Sequence, residues 1–553
     1  MFRTTSKNRT LLILSKGRLA PRALTLVEML ISMAVTLIMM AAVVNLFANL
    51  GAGVKTRNAS MQLGTQLRLA RARLFKDLAG ATSAARPKLP SDDHDDGYLE
   101  IIEGQWSDRN PSGLLVGGTP GVDSLDRRLS IVPSSNLTLV AGEVTDGGGL
   151  GDYDDILALT VRSESEPFVG RLPVWQDPDG TGFRWVVTTI ESDLAEVIWF
   201  AVENPADSSN GEPGMRTVYR RVLLIAPWVS ELPPYVDTAT TAKNTPLDQI
   251  YYHLSDVSFR QEGNLRVPNT LSDLTKRENR FAHISGAANF PHAIDISAIR
   301  LNPPTTRNRF PTVTNSVLHP FGLPFEWGPT NPDPLDPTVP PLVDRQGEDV
   351  MLNDVLAFDL RVYDPGAPIL TNAAGLVLEP SDVGWGRPTI AIPTIANTVG
   401  YGAYVDLFWN KTGTTVPTGT NIPETLFEDV PKFKSGLNFS TTTLASVAYD
   451  TWPYHYENDG LDQDDTSGND NVQDGDPLTG AVDEGTDGLD TNGTNGVDDS
   501  LERETAPPYD TPLRGMQVKI RVYDRDSRQI REATVTRNFV PNRDARRWFL
   551  GAG

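Results

Sequence analysis

Two groups of carboxylates are the side chains in this sequence most able to do chemistry. The first lies in residues 457–502, which hold fifteen acidic residues and no Lys or Arg. They run Glu457-Asn458-Asp459-Gly460-Leu461-Asp462-Gln463-Asp464-Asp465, then Asp487-Gly488-Leu489-Asp490, then Gly496-Val497-Asp498-Asp499. Oxygen ligands at alternating positions, with glycine for tight turns, suit a hard cation such as calcium. The candidate ligands are Asp459, Asp462, Asp464, Asp487, Asp490, Asp498 and Asp499. The spacing is not that of an EF-hand, which needs Asp-x-Asp-x-Asp-Gly and a later Glu. A block of like charge without apolar residues also reads as a solvated, disordered loop. Calcium site and bare acidic loop both stay open. The smaller cluster Asp92-Asp93-His94-Asp95-Asp96 reads as a solvated turn.

The second carboxylate stands alone. Between Arg22 and Lys55 the only charged residue is Glu28, inside an apolar run from Leu24 to about Leu50. Roughly 20 apolar residues span a bilayer as a helix. Residues 1–23 carry Arg3, Lys7, Arg9, Lys16, Arg18 and Arg22 and no acid, which keeps that flank in the cytoplasm and sends the body out. A secretory signal has a shorter apolar core, with a small-residue cut after it; Ala48–Gly53 offers such residues. An uncleaved anchor fits the length but leaves Glu28 without a task, although a carboxylate in an apolar span is costly.

Ala23-Leu24-Thr25-Leu26-Val27-Glu28 resembles the signature of type IV pilins and type II secretion pseudopilins. The resemblance implies cleavage by a prepilin peptidase between Ala23 and Leu24, and methylation of the new amine on Leu24. It implies that Glu28, fifth in the mature chain, pairs with the amine of a neighbouring subunit during assembly. The family prefers glycine where this chain has Ala23 and phenylalanine where it has Leu24; alanine is small enough to be accepted. Two opposite charges that satisfy each other among packed helices would also fix the register of one helix on the next.

The elements that must position these groups follow. Leu63, Leu67, Ala70, Leu74 and Leu78 recur at spacings of four, three, four and four, one stripe of an amphipathic helix. Arg68, Arg71, Arg73 and Lys76 fall largely off it. The expected helix runs from Leu24 to about Leu78, roughly 80 Å. Gly51, Gly53 and Gly64 are points where it could bend, and it must end before Arg86-Pro87.

After Pro87 short β-rich runs alternate with turn-forming stretches, which argues for a mostly antiparallel β head. The clearest strands are Ile156–Arg162, Arg184–Ile190, Glu196–Val202, Val218–Ile225, Val355–Tyr363, Tyr404–Trp409, Met516–Tyr523 and Glu532–Phe539. Residues 320–341, with eight prolines, read as an extended connection. Arg361-Val362-Tyr363-Asp364 and Arg521-Val522-Tyr523-Asp524 match, each read as a strand ending at an Asp turn. Glu196–Phe200, followed by Tyr219-Arg220-Arg221, resembles the strand pair of the large J-class minor pseudopilins. The head is larger than that class implies, so 236–350 and 366–450 read as insertions.

Other chemistries find little support. The net charge of −22, of which residues 457–502 supply −15, points away from nucleic acid. There is no cysteine, hence no disulfide, thiolate zinc site or cysteine nucleophile. No Gly-Lys dipeptide exists to build a Walker A loop, and no His-Glu-x-x-His occurs. The expected fold is α+β: a basic leader over 1–23, a long helix over 24–80, a β head over 81–456, the acidic segment 457–502, and closing strands over 503–553. The expected role is a non-enzymatic minor pilin or pseudopilin. Its expected partners are prepilin peptidase, other pilin-like subunits and the inner membrane, and calcium is the one implied cofactor. The alternative is a membrane-anchored, calcium-binding adhesin that never enters a filament.

Overall fold

In the computed structural model the chain enters its first element at Thr25. The structure describes residues 25–85, 96–103, 155–176, 180, 184–203, 216–230, 232, 255–262, 265–276, 279–281, 349–380, 385, 394, 396–407, 409, 421–428, 447–451, 496–497, 509, 511–524 and 529–539. One helix, α1, spans Leu26–Ala79 and continues through Gly51, Gly53 and Gly64. The chain divides into two compact units, Met1–Met61 and Gln62–Gly553.

In the first unit the described part of the chain is helix and the residue that caps it. Ser32 and Thr36 are the polar hydroxyls of its apolar stretch. Each donates to a carbonyl of the preceding turn, Ser32 Oγ to Met29 O at 2.9 Å and Thr36 Oγ1 to Ser32 O at 2.6 Å. Neither hydroxyl therefore needs water.

The second unit begins with the rest of α1. All five residues of the sequence-derived stripe, Leu63 to Leu78, are buried, and Arg68, Arg71, Arg73 and Lys76 are exposed. The helix stops at Gly80, before the expected limit. Its end abuts the sheet there: a Cβ on Gly80 would lie 2.5 Å from the carbonyl oxygen of Arg162. Only glycine allows that approach.

The strands follow in chain order: β1 Leu99–Glu103, β2 Ile156–Arg162, β3 Phe168–Gln176, β4 Arg184–Ser192, β5 Leu194–Glu203, β6 Arg216–Leu224, β7 Phe259–Glu262, β8 Leu265–Pro268, β9 Val350–Thr371, β10 Val377–Leu378, β11 Thr398–Val405, β12 Val447–Asp450, β13 Gly515–Asp524 and β14 Gln529–Asn538. The main antiparallel sheet has the order β12-β1-β2-β5-β6-β9-β13-β14, with β10 and β11 also paired to β9. Two hairpins, β3–β4 and β7–β8, stand outside it. The fold is α+β, as the sequence patterning predicts.

Alternation along the strands sets up two cores. Leu157, Leu159, Val197 and Trp199 face the helix stripe, while Ile156, Ala158, Ile198 and Phe200 face a second cluster with Leu224, Val257 and Leu274. Successive side chains point to opposite faces of a strand, so β2 and β5 are buried on both. The sheet also curls. Five strands separate β12 from β13 in this order, yet Tyr449 Oη of β12 accepts from Leu513 N, just before β13, at 3.2 Å.

Two local expectations change. The strand expected to end at Asp364 instead continues to Thr371. It passes Pro365 because the register against β11 jumps from Asp364 to Pro368, leaving the proline in a bulge. The strand expected over Tyr404–Trp409 lies earlier, over Thr398–Val405. The matching Arg-Val-Tyr-Asp segments occupy neighbouring strands, β9 and β13. The stretch 366–450 supplies the end of β9 and all of β10, β11 and β12 to the main sheet.

Candidate functional site

The first functional element is the N-terminal part of α1. Leu26–Phe47, 22 residues, is long and apolar enough to cross a membrane, and its apolar window holds no buried residue. At 1.5 Å per residue it is about 33 Å long, close to the thickness of a bilayer core. By length and composition this segment is a membrane span or a signal sequence. Ala23 and Leu24, the residues flanking the expected cut, lie outside the described residues.

Glu28 sits in the first turn of that span. Its Oε2 accepts from the Thr25 backbone N at 2.9 Å and from Thr25 Oγ1 at 3.0 Å. Thr25 Oγ1 in turn accepts from Glu28 N at 3.3 Å. This is a reciprocal capping box, in which Thr and a Glu three residues on satisfy each other's backbone donors. The sequence carried the signal, Thr25-Leu26-Val27-Glu28 ahead of an apolar run.

The second element is the seat of α1 on the sheet, within the second unit. Asp77 projects from the last turns of the helix and is buried. Its Oδ2 accepts from Trp199 Nε1 at 2.8 Å and from Arg220 Nε at 2.7 Å, and its Oδ1 accepts from Arg220 Nη2 at 2.7 Å. Trp199 and Arg220 are direct cross-strand partners on β5 and β6. The Glu196–Phe200 and Tyr219–Arg221 segments are thus adjacent antiparallel strands, and one pair of their side chains grips the helix. A buried fork-to-carboxylate pair with a third donor leaves little of Asp77 unsatisfied. Asp77 was missed in the sequence because its charge hid it among the helix's surface residues.

A third arrangement lies on the opposite face of the sheet. Glu100 of β1 and Asp450 of β12 are cross-strand partners, both fully buried. Two carboxylates so placed repel. Arg280 Nη1 donates to both, at 2.9 Å to Glu100 Oε2 and 2.8 Å to Asp450 Oδ2. Burial alone would push the Arg280 guanidinium down, but Asp450 and Glu100 hold it above its ordinary value, so it stays charged. The guanidinium carbon also lies 4.0 Å from the Tyr98 ring centre. Tyr98 Oη donates to Glu196 Oε1 at 2.7 Å, and burial followed by the Glu196 charge pushes that hydroxyl well above its ordinary value. Glu196 accepts further from Ser258 Oγ and Phe281 N, binding the segment 255–281 to β5.

Asp364 does similar work where β9 bulges. Its carboxylate accepts from Gly366 N, Trp409 Nε1, Leu426 N and Phe427 N, at 2.8 to 3.1 Å. It ties Trp409 and the stretch 426–427 to β9 and closes the bulge at Gly366.

The calcium candidates Asp459, Asp462, Asp464, Asp487, Asp490, Asp498 and Asp499 lie outside the described residues, as do all six histidines. Among the described residues no group of three or more His, Asp or Glu side chains is arranged to hold a metal ion. The described buried acids are committed to arginine, tyrosine, tryptophan and backbone donors, an arrangement that holds segments together.

No protein-family model, curated protein or solved structure matches the chain.

Proposed function

We propose that the chain is a structural, non-enzymatic subunit of the type IV pilin and type II secretion pseudopilin class. In this reading a prepilin peptidase removes residues 1–23, and the new amine on Leu24 is methylated. The apolar part of α1 then packs among the helices of other pilin-like subunits. The protein would sit in a bacterial inner membrane with its head in the periplasm or at the cell surface. A bulky head fits a minor subunit better than the repeating one, because it crowds a regular lattice. The acidic segment 457–502 would bind calcium once exported.

The observation that carries this reading is the division of labour along α1. Residues 26–47 are apolar and exposed on every side, whereas the later turns bury a single stripe in the head. An apolar helix exposed all round needs a bilayer or other apolar helices as its surroundings. Glu28 makes the second environment informative, because a carboxylate there gains from a counter-charge.

The capping box favours a second reading, a plain membrane anchor in which Glu28 serves only its own helix. The two separate at one substitution. Glutamine also closes a capping box, so Glu28→Gln keeps the cap and removes the charge. A photo-cross-linking amino acid at Met39 would be introduced in cells that hold prepilin peptidase and pilin-like subunits. Assembly predicts cross-links to those subunits that are lost in Glu28→Gln. Cross-links that never form favour the anchor, and cross-links that persist in Glu28→Gln would show packing among the subunits that does not use the Glu28 charge.

A further inference from the structure

The head-side turns of α1 and the last strand of the sheet enclose a cleft of about 540 Å³. It is lined by Gly64, Leu67, Arg68 and Arg71 from the helix and by Arg531, Glu532, Ala533 and Thr534 from β14. Three of these residues carry guanidinium groups. A Cβ on Gly64 would lie 2.9 Å from Arg531 Nη1 and 3.9 Å from Arg68 Nη2, so both groups share the space above this glycine. Glycine inside a helix weakens it. Here it makes room for a cation from the strand beside a cation of the helix. The one carboxylate of the lining is committed: Glu532 Oε2 accepts from Arg521 Nε at 2.7 Å, along the sheet.

Among the described strands β14 pairs only with β13, so it forms an edge ten residues long. Charged side chains on an edge often serve to discourage strand pairing. That purpose requires charges on β14 alone. It does not account for two exposed arginines on the facing helix or for the glycine beneath Arg531 and Arg68.

We infer that this cleft docks an extended, carboxylate-bearing peptide segment of a partner protein. Guanidinium forks match carboxylates in a bidentate geometry, and the edge of β14 offers backbone donors and acceptors to an extended chain. The net charge of −22 works against large polyanions such as nucleic acid, and least against a short acidic peptide. The cleft lies wholly within the second unit and uses no residue of the apolar span. It therefore stands or falls independently of leader cleavage.

The test uses the full chain in detergent micelles and fluorescence anisotropy. The probe is a labelled, acetylated peptide alternating Glu with Val and Thr, and its Gln counterpart is the control. Saturable binding of the Glu peptide should weaken about tenfold or more in Arg68→Gln/Arg71→Gln, the loss expected for charge-assisted pairs. Arg73→Gln, which removes a charge from the same helix outside the cleft, should leave binding unchanged. Arg68 and Arg71 are exposed, and thermal unfolding of the variants checks that the fold is kept. Equal loss in Arg73→Gln, equal binding of the Gln peptide, or no effect of the double substitution overturns the inference. So does displacement of the peptide by pyrophosphate or anionic lipid vesicles that bind more tightly than it does.

Discussion

Asp77 and Arg220 are joined by two hydrogen bonds of 2.7 Å each, one to each carboxylate oxygen, at a point where helix and sheet are both buried. The pair lies 143 residues apart in sequence, so it closes a large loop. Breaking one half strands the other in a dry site. Asp77→Ala should therefore cost about 3–5 kcal/mol of head stability. Adding Arg220→Met to it should recover part of that loss. Urea unfolding followed by circular dichroism reads both. Additive losses would show that the pair is not coupled.

Arg280 supports a second prediction. Arg280→Met leaves Glu100 and Asp450 facing each other without a counter-charge, and a loss of about 3–5 kcal/mol follows. Asp450→Asn in the same chain should restore stability, because it removes the repulsion. A triple set of melting curves decides it; a double variant less stable than Arg280→Met would contradict the account.

Alkaline pH gives a third. Burial, with the Glu196 charge, raises the Tyr98 hydroxyl well above its ordinary value, and burial raises that of Tyr449. Once unfolded, both ionise near their ordinary value of about 10. The folded head then holds protons that the unfolded chain has lost. The stability these groups contribute is fully present below about pH 10 and is lost as pH rises above it. Lys519, held below its ordinary value by burial, works in the opposite sense. The difference between the wild type and Tyr98→Phe isolates the tyrosine. Melting temperature measured from about pH 8 to 11 should fall less steeply in Tyr98→Phe; identical slopes would refute the assignment.

The acidic segment yields a fourth. Thr511 and Tyr449 are bonded at 2.9 Å, so the chain ends on either side of residues 457–502 are brought near each other by the head itself. Deleting 457–502 should leave the head folded. Calcium should raise the melting temperature of the full chain, by the equivalent of about 2.7 kcal/mol at a hundredfold excess over Kd. The deleted chain should not respond. A calcium response that survives the deletion would move the site elsewhere, and no response in either chain would leave a bare acidic loop.

Periodicity made much of this architecture legible. The stripe Leu63 to Leu78 is buried as its spacing requires, and β2 was read to the residue. What stayed hidden depended on distant partners. Asp77, Glu100, Glu196 and Asp364 are acids in the core, and local patterning places acids at the surface. Only Trp199, Arg220, Arg280 and the loop amides that meet them make burial affordable, and those meetings are long-range. The Asp turn expected at Asp364 misled for the same reason, since β9 runs on to Thr371. Pro365 is tolerated because β9 bulges there against β11, a property of the pair and not of either strand. The capping role of Glu28 was local and could be read from Thr25-x-x-Glu28, but the assembly role that the resemblance implies drew attention from it.

The central claim is tested most directly by co-expressing the full chain with a prepilin peptidase and measuring the mass and N-terminal residue of the product. A product beginning at methylated Leu24 is the expected result. A chain that stays uncut, or one cut near residue 50, would contradict the account and leave an anchored or secreted acidic β-protein.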